Sequence, residues 1–520
     1  MRTVKRSGRI RRTLGLVLAL TLVLAACGDG DEGAAEGPPP DVPQEVRFLI
    51  AENFWADWRP YSSTAQSQRR VERHIYDMLV QFPDGDLGDP QPMLATSWEI
   101  VSDTVWEFEL RDDVVFHDGQ PFTAADVKAS IELASGFSGE SAYSLGWAPA
   151  QVEVVDDHTV RISTEEPFAP MLAELSGTPI VSAAWLEGDE SRLESEPNGT
   201  GAFKLVADEV NIKTMEANPD YWGQVPFIDT LIWEFIQDPQ TRMSALLSGQ
   251  AHAIDRVPPE QMATLEADEN VVLNSVTGVE SVNLWVPPGR SQFWEENPDF
   301  RLAINLSFDR QPLVDNLVMG GSAVAGSFLP NNTEFYVEQE PAFTADLDRA
   351  RELLDAAGLP EEAKEFEIWV AEGFLPRAVP VVEAIASQME AIGLRPRIVS
   401  TDVAGLIDDA FSENGTGTFY HLSWASSGDA NPAAVVYSSA FAWYFGDERL
   451  QELIDLGRTT LDPAERAQIY AELQAHMWEQ AWHVPLYNSD LTVAHVNSLE
   501  GLVVLPQSFV TNFHRAMLVD

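Results

Sequence analysis

The sequence predicts an α/β fold. Strand-like and helix-like segments alternate along the body of the chain, with long connections between them. The strand signal is sharpest at 105–110, VWEFEL, where Trp106, Phe108 and Leu110 alternate with Glu107 and Glu109 in the pattern of a half-buried strand. The helix signal is sharpest where a polar cap precedes an apolar stripe, at Thr123, Asp346 and Asp462.

The first segment lies outside that body. Arg2, Lys5, Arg6, Arg9, Arg11 and Arg12 precede LGLVLALTLVLAA at 14–26, and the run ends at Cys27, the only cysteine of 520 residues. A basic stretch, a short apolar stretch and small residues before a cut describe a secretory signal. The run is shorter than the roughly 20 apolar residues of a membrane span. LAAC resembles the bacterial lipobox, in which the cysteine is lipidated and becomes the new N-terminus. An ordinary signal peptide with an incidental cysteine is the alternative. Residues 28–45 hold small, acidic and proline residues without apolar periodicity and read as a tether, stiffened at Pro38–Pro40.

In the body, 46–50 is the first strand. Residues 68–79 read as a helix with Val71, Ile75 and Leu79 on one face. After 105–110, Asp118-Gly119 makes a turn. Thr123 and Asp126 then form a capping box for a helix that turns Val127, Ile131 and Ala134 inward. Residues 152–162 read as a hairpin around Asp156-Asp157. Asp346 caps a helix carrying Leu347, Ala350, Leu354 and Ala357, stopped by Gly358 and Pro360. Asp462-Pro463 opens the last long helix, expected to reach about Trp482 with Ala467, Tyr470, Met477 and Ala481 inward.

Net charge is −50 for the whole chain. Removing 1–26 deletes six cations and leaves 26 basic against 82 acidic residues, or −56. Such a surface repels phosphate backbones and anionic lipid, so it excludes nucleic acid and leaves any membrane attachment to acyl chains. A saline habitat and a compositional bias of the genome both account for the acidity. Without a cysteine beyond 27 the body has no disulfides, and packed cores must hold it together.

Chemistry-like motifs are few. FHDG at 116–119 reads as a turn at a strand end. Gly199-Thr200-Gly201 lacks the Lys-Ser/Thr of a phosphate loop and reads as a tight crossover. His476, Glu479 and His483 have helical spacing; metal ligation and a structural role are both compatible with it. No nucleophile elbow, zincin or dinucleotide motif is present, so neither catalysis nor a cofactor nor a metal is expected.

Several segments in order then resemble the extracellular solute-binding proteins of ABC importers, specifically the peptide/nickel-type family 5. They are PMLATSWE at 92–99, WEFELRDDVVFHDGQPFTAADVKAS at 106–130, NGTGAFKL at 198–205, NPDYW at 218–222, ALLSGQAHAI at 245–254, DFRLAINLSFDRQPLV at 299–314, DRARELLDAAGL at 348–359 and HVPLY at 483–487. The resemblance implies a two-lobed periplasmic-binding-protein-like fold with an extra N-terminal subdomain and a two-segment hinge. It places lobe I at 46–80, 198–278 and 489–520, the subdomain at 81–197 and lobe II at 279–488. The hinge segments fall near 279–286 and 483–489.

The resemblance also implies a ligand between the lobes. Trp55 and Tyr61 belong to an aromatic loop facing the cleft or covering lobe I. Trp424 and Asp429 occupy the place of the family's Trp-x-x-Asp, where the aspartate holds a peptide amine, although the spacing to Pro432 departs by one residue. Asp429 as a simple turn cap is the alternative. Tyr444 is a further candidate wall, and Asn283, in the first hinge segment, completes the set. Glu372 stands where dipeptide binders carry a carboxylate-clamping arginine, with Arg377 five residues on; this disfavours a dipeptide specialist. The expected protein is a monomeric, lipid-anchored binding component that delivers a peptide to a membrane permease. An oligosaccharide or other polar solute on the same fold is the alternative, and a lipid-anchored enzyme or structural surface protein is a third reading without motif support.

Overall fold

In the computed structural model, residues 42–51, 57–62, 66–82, 90–136, 146–187, 190–319, 322–412, 414–425, 428–439, 445–505 and 511–519 are described. Cys27, the signal segment, most of the tether, Trp55 and Tyr444 lie outside them, as does the Trp424 side chain.

A twisted sheet of eleven strands runs through the body. Its order is Arg395–Thr401, Glu365–Ala371, Phe419–Ala425, Val271–Trp285, Val484–Val496, Ala253–Asp255, Glu45–Ile50, Thr230–Phe235, Ile212–Ala217 and Phe203–Asp208, with Ala323–Val324 added on Val484–Val496. The two longest strands, Val271–Trp285 and Val484–Val496, are antiparallel neighbours at its centre. Their register shifts between Val276 and Glu280. On one side of that shift, Leu491 and Val493 enter a core with Phe48, Trp58, Tyr76, Trp233 and Phe513. On the other, Val282, Leu284, Val484 and Leu486 enter a core with Trp294, Phe419 and Tyr470. Two strands thus feed two lobes. A third core, under the four-stranded sheet of Ala95–Ser102, Val105–Leu110, Thr159–Thr164 and Ala150–Asp156, contains Phe108, Val127, Ile131, Ile162 and Phe168.

The strand Val105–Leu110 has the expected span and buries Trp106, Phe108 and Leu110. The helix Ala124–Ala134 begins at the Thr123/Asp126 capping box, with the Thr123 N–H donating to Asp126 Oδ2 at 2.8 Å. Asp346 and Asp462 each accept from the third residue on, at 2.9 Å, and Gly358 ends its helix at φ +66°. The last long helix is Pro463–Glu479; it stops short of Trp482, and its buried stripe is Arg466, Tyr470, Leu473 and Met477.

The expected helix over 68–79 is a correction. The helix is Gln66–Glu72 only. Val71, Ile75 and Leu79 are all buried, but carbonyls beyond Glu72 are taken by other segments. His74 O accepts from Phe203 N at 2.9 Å, Ile75 O from Gly201 N at 2.8 Å and Leu79 O from Ala95 N at 2.9 Å. Tertiary pairing displaces helix propagation where both satisfy the backbone. The same contact explains Gly199-Thr200-Gly201: a Cβ on Gly199 would sit 2.0 Å from Ile75 O, and one on Gly201 2.6 Å from His74 O. FHDG is a turn, with the Gly119 N–H donating to Phe116 O at 2.8 Å and Gly119 at φ +85°.

Candidate site between the subdomain and the second lobe

The chain leaves the strand Phe419–Ala425 and reaches Gly428 at φ +98°, a conformation that favours glycine. Gly428 O accepts from Glu334 N at 2.8 Å, which fixes the turn. Asp429 follows, 4% exposed. Its Oδ1 accepts from the Asn431 N–H at 2.7 Å, the turn-capping geometry of an aspartate.

The carboxylate has a second partner that sequence reasoning missed. Arg466 grips it with two hydrogen bonds, Nη1 to Oδ2 at 2.5 Å and Nη2 to Oδ1 at 2.8 Å. Both side chains are buried, and Arg466 Nε donates to Gly457 O at 2.7 Å. Burial opposes the guanidinium charge most strongly of any single cause, but Asp429, Tyr470 and Glu334 together raise the Arg466 pKa. The cation that the sequence assigned to a ligand amine is therefore supplied within the chain. The signal was available: Arg466 lies on the same helical stripe as Tyr470, Leu473 and Met477, and a charge on a buried stripe calls for a buried counter-ion.

This ion pair forms one wall of a cavity of about 270 Å³. Glu334, Phe335, Gly428, Leu461 and Pro463 complete that side. Phe82, Pro90, Ala169, Leu172 and Ala173 line the other, from the subdomain. The two sides touch directly, with Ala169 N donating to Arg458 O at 2.9 Å and Asn431 Nδ2 to Gly146 O at 3.0 Å. Beside the cavity, the helix Met171–Gly177 carries Glu174, whose Oε1 is fully buried with no hydrogen-bond partner. Burial, and then the nearby Asp429 charge, push its pKa up to about 8, while Arg69 pulls the other way.

Tyr61 and Asn283 are bonded inside the chain. The Tyr61 hydroxyl donates to Pro179 O at 2.5 Å and ties the loop to the subdomain. Asn283 Nδ2 donates to Ser281 O at 3.0 Å, which turns its Oδ1 towards His483 Nε2 at 2.7 Å. His483 Nδ1 then takes the Tyr437 hydroxyl at 2.7 Å. Burial, and then Arg310, push the His483 pKa down to about 3, so the ring is neutral. The possible metal trio comes apart: His483 lies beyond the helix end at Glu479, and His476 meets Asp447 at 2.8 Å. Among the described residues no three metal-ligating side chains gather.

Trp424 pairs with Ser281 through its backbone, next to the hinge. A buried polar cluster sits there too. Glu280 accepts from Ser423 Oγ at 2.6 Å and Ser489 Oγ at 3.2 Å, and Arg256 approaches it at 3.4 Å. On another side, Glu372 and Arg377 line a cavity of about 280 Å³ with Arg242, Arg256 and Phe374. Arg377 is 3.5 Å from Glu260 of the first lobe, so this arginine already faces an acid.

Comparison with known proteins matches this architecture. The glutathione-binding protein GsiB of Shigella dysenteriae is 26% identical over 528 residues, covering 98% of each chain. The structure of NikZ from Campylobacter jejuni in complex with Ni(L-His) superposes with a TM-score of 0.81 at 22% identity, covering 92% of this chain and 100% of that one. The periplasmic binding protein DppA of Helicobacter pylori in complex with the peptide STSA gives a TM-score of 0.80 at 23% identity, over 91% and 98%. Residues 89–445 match the model for the bacterial extracellular solute-binding proteins, family 5. With that match over more than half of its length and the two-lobed fold behind it, the chain belongs to family 5 of the bacterial extracellular solute-binding proteins.

Proposed function

We propose that this protein is the binding component of an ABC importer, anchored outside the cytoplasmic membrane by lipid on Cys27. It captures a peptide between its lobes and hands it to a membrane permease. The observation that carries the reading is the cavity beside Asp429, walled by the subdomain on one side and the second lobe on the other. A solute held between two parts of the chain would couple occupancy to hinge closure. The peptide class draws support from the relatives, one named for glutathione binding and one seen with a tetrapeptide.

In this reading Asp429 and Arg466 form a fixed ion pair in the cleft wall. Tyr61 and Asn283 hold the walls in place. Trp55, Trp424 and Tyr444 are the aromatic surfaces offered to the solute, where backbone capture is tolerant of peptide sequence. Membership of a solute-binding family supports reading the chain as a binder rather than an enzyme.

Calorimetry tests the ligand class. Tri- and tetrapeptides are expected to bind one to one and to raise the melting temperature, because they bind only the folded state. Saturable binding of malto- or cello-oligosaccharides, with no heat from any peptide, overturns the peptide reading in favour of a sugar-type solute.

A further inference from the structure

A further cavity, of about 280 Å³, shares only Phe82 with the one beside Asp429. Three short segments build it. Gln81 and Gln91 come from the antiparallel pair Val80–Gln81 and Gln91–Pro92. Tyr221, Trp222 and Gln224 follow the strand Ile212–Ala217. Asn512 and Arg515 come from the C-terminal stretch, where Thr511–Asn512 pairs with Val503–Val504. The Trp222 ring is fixed in place, with Nε1 donating to Asp77 Oδ2 at 2.7 Å. Asp77 itself is buried and does not line the cavity.

The charge of this cavity runs against that of the chain. No aspartate or glutamate lines it, in a sequence that holds 82 of them. By contrast, Glu334 and Asp429 line the cavity described above, and Glu260 and Glu372 line the one with Phe374. Arg515 is the only lysine or arginine in the lining. Its side chain makes no hydrogen bond, ion pair or ring contact among the described residues. Arg47, Arg70, Arg256 and Arg466 each meet an acid. In so acidic a body, a free guanidinium in an acid-free hollow favours an anion.

The other lining groups narrow the class. One guanidinium matches one carboxylate, bonded in plane by two hydrogen bonds. A phosphate dianion would leave half its charge uncompensated within an acidic protein. The side-chain amides of Gln81 and Gln224 have no partner among the described residues either, and each offers donors and an acceptor. Hydroxyl groups answer both roles, whereas a hydrocarbon tail answers neither. Tyr221 and Trp222 add flat apolar faces. The volume is close to the roughly 300 Å³ at which small-molecule pockets begin.

We propose that this cavity is a second solute site, separate from the cleft, for a small hydroxylated monocarboxylate of the sugar-acid type, with Arg515 on its carboxylate. Whether a peptide fills the cleft has no bearing on it.

Calorimetry and thermal melting of the mature chain with D-glucuronate, D-galacturonate and D-gluconate test the site, with D-glucose as the neutral control. At least one acid is expected to bind saturably, about tenfold or more tighter than glucose, the scale of one charge-assisted hydrogen bond. Arg515→Gln should reduce that acid to the level of glucose. Without solute the variant should melt with its parent, because Arg515 is exposed and holds nothing else among the described residues. Failure of all three acids to bind overturns the site. Glucose bound as tightly as the acids overturns the carboxylate class. Acid binding that survives Arg515→Gln lies elsewhere on the protein and overturns the assignment to this cavity. Tetrapeptide titrated into the same two proteins reads the cleft independently. Its heat should be equal in both, and a peptide signal lost in Arg515→Gln overturns the separation of the two sites.

Discussion

Asp429→Asn should destabilise the protein by about 3–5 kcal/mol, the range for removing one partner from a buried ion pair. The substitution keeps the side-chain shape and one acceptor for the Asn431 N–H. It strands the Arg466 guanidinium, which is buried against Phe335 and Tyr470 and has no other acid bonded to it among the described residues. Arg466→Met should cost a similar amount by leaving the carboxylate behind. The double variant should cost less than the two singles combined, because it leaves no unpaired charge; that non-additivity is the signature of direct coupling. Denaturant unfolding followed by tryptophan fluorescence reads all three. Single variants within about 1 kcal/mol of the parent, the size of a surface ion pair, would contradict a buried structural role for the pair. Any loss of affinity in Asp429→Asn should be judged against this loss of folding, since a displaced wall also weakens binding.

Cys27→Ala should release the protein from the membrane or leave it as uncut precursor. The effect is expected to be all or none, because the acidic body offers anionic lipid no attraction of its own. Each buried CH₂ of an acyl chain contributes about 0.8 kcal/mol, and stable anchoring takes more than one chain. With lipid on Cys27 as the proposed anchor, replacing that cysteine removes the whole of this attachment. Among the described residues no helix is long and apolar enough to cross a membrane in its place. Fractionation and gel migration check the outcome, and a variant that behaves like its parent in both would exclude lipid attachment at Cys27.

Much of the architecture was legible in the sequence because its cues are local. The capping box at Thr123/Asp126, the caps at Asp346 and Asp462 and the alternation over 105–110 each involve residues within one turn or one strand, and each appears with the expected geometry. The helix expected over 68–79 is cut short for the opposite reason. Its apolar spacing is helical, but the partners that end it at Glu72 are Gly201, Phe203 and Ala95, distant in sequence. The site followed the same division. Asp429 was found from its place after Trp424, and its role as a turn cap was legible in the short step to Asn431-Pro432. Its counter-ion, 37 residues away, and Glu174, on a subdomain helix with no motif of its own, became visible only when the fold brought them together. Tyr61 and Asn283 show the limit of residue type as a guide. Both have cleft-like chemistry, and both spend it on bonds within the chain.

Mass spectrometry of the solute carried by protein made in its native host, purified without denaturant and then unfolded, decides whether a small peptide occupies the cleft. Close to one equivalent of a peptide-type solute is expected. Recovery of a neutral oligosaccharide at the same stoichiometry would rule the peptide out.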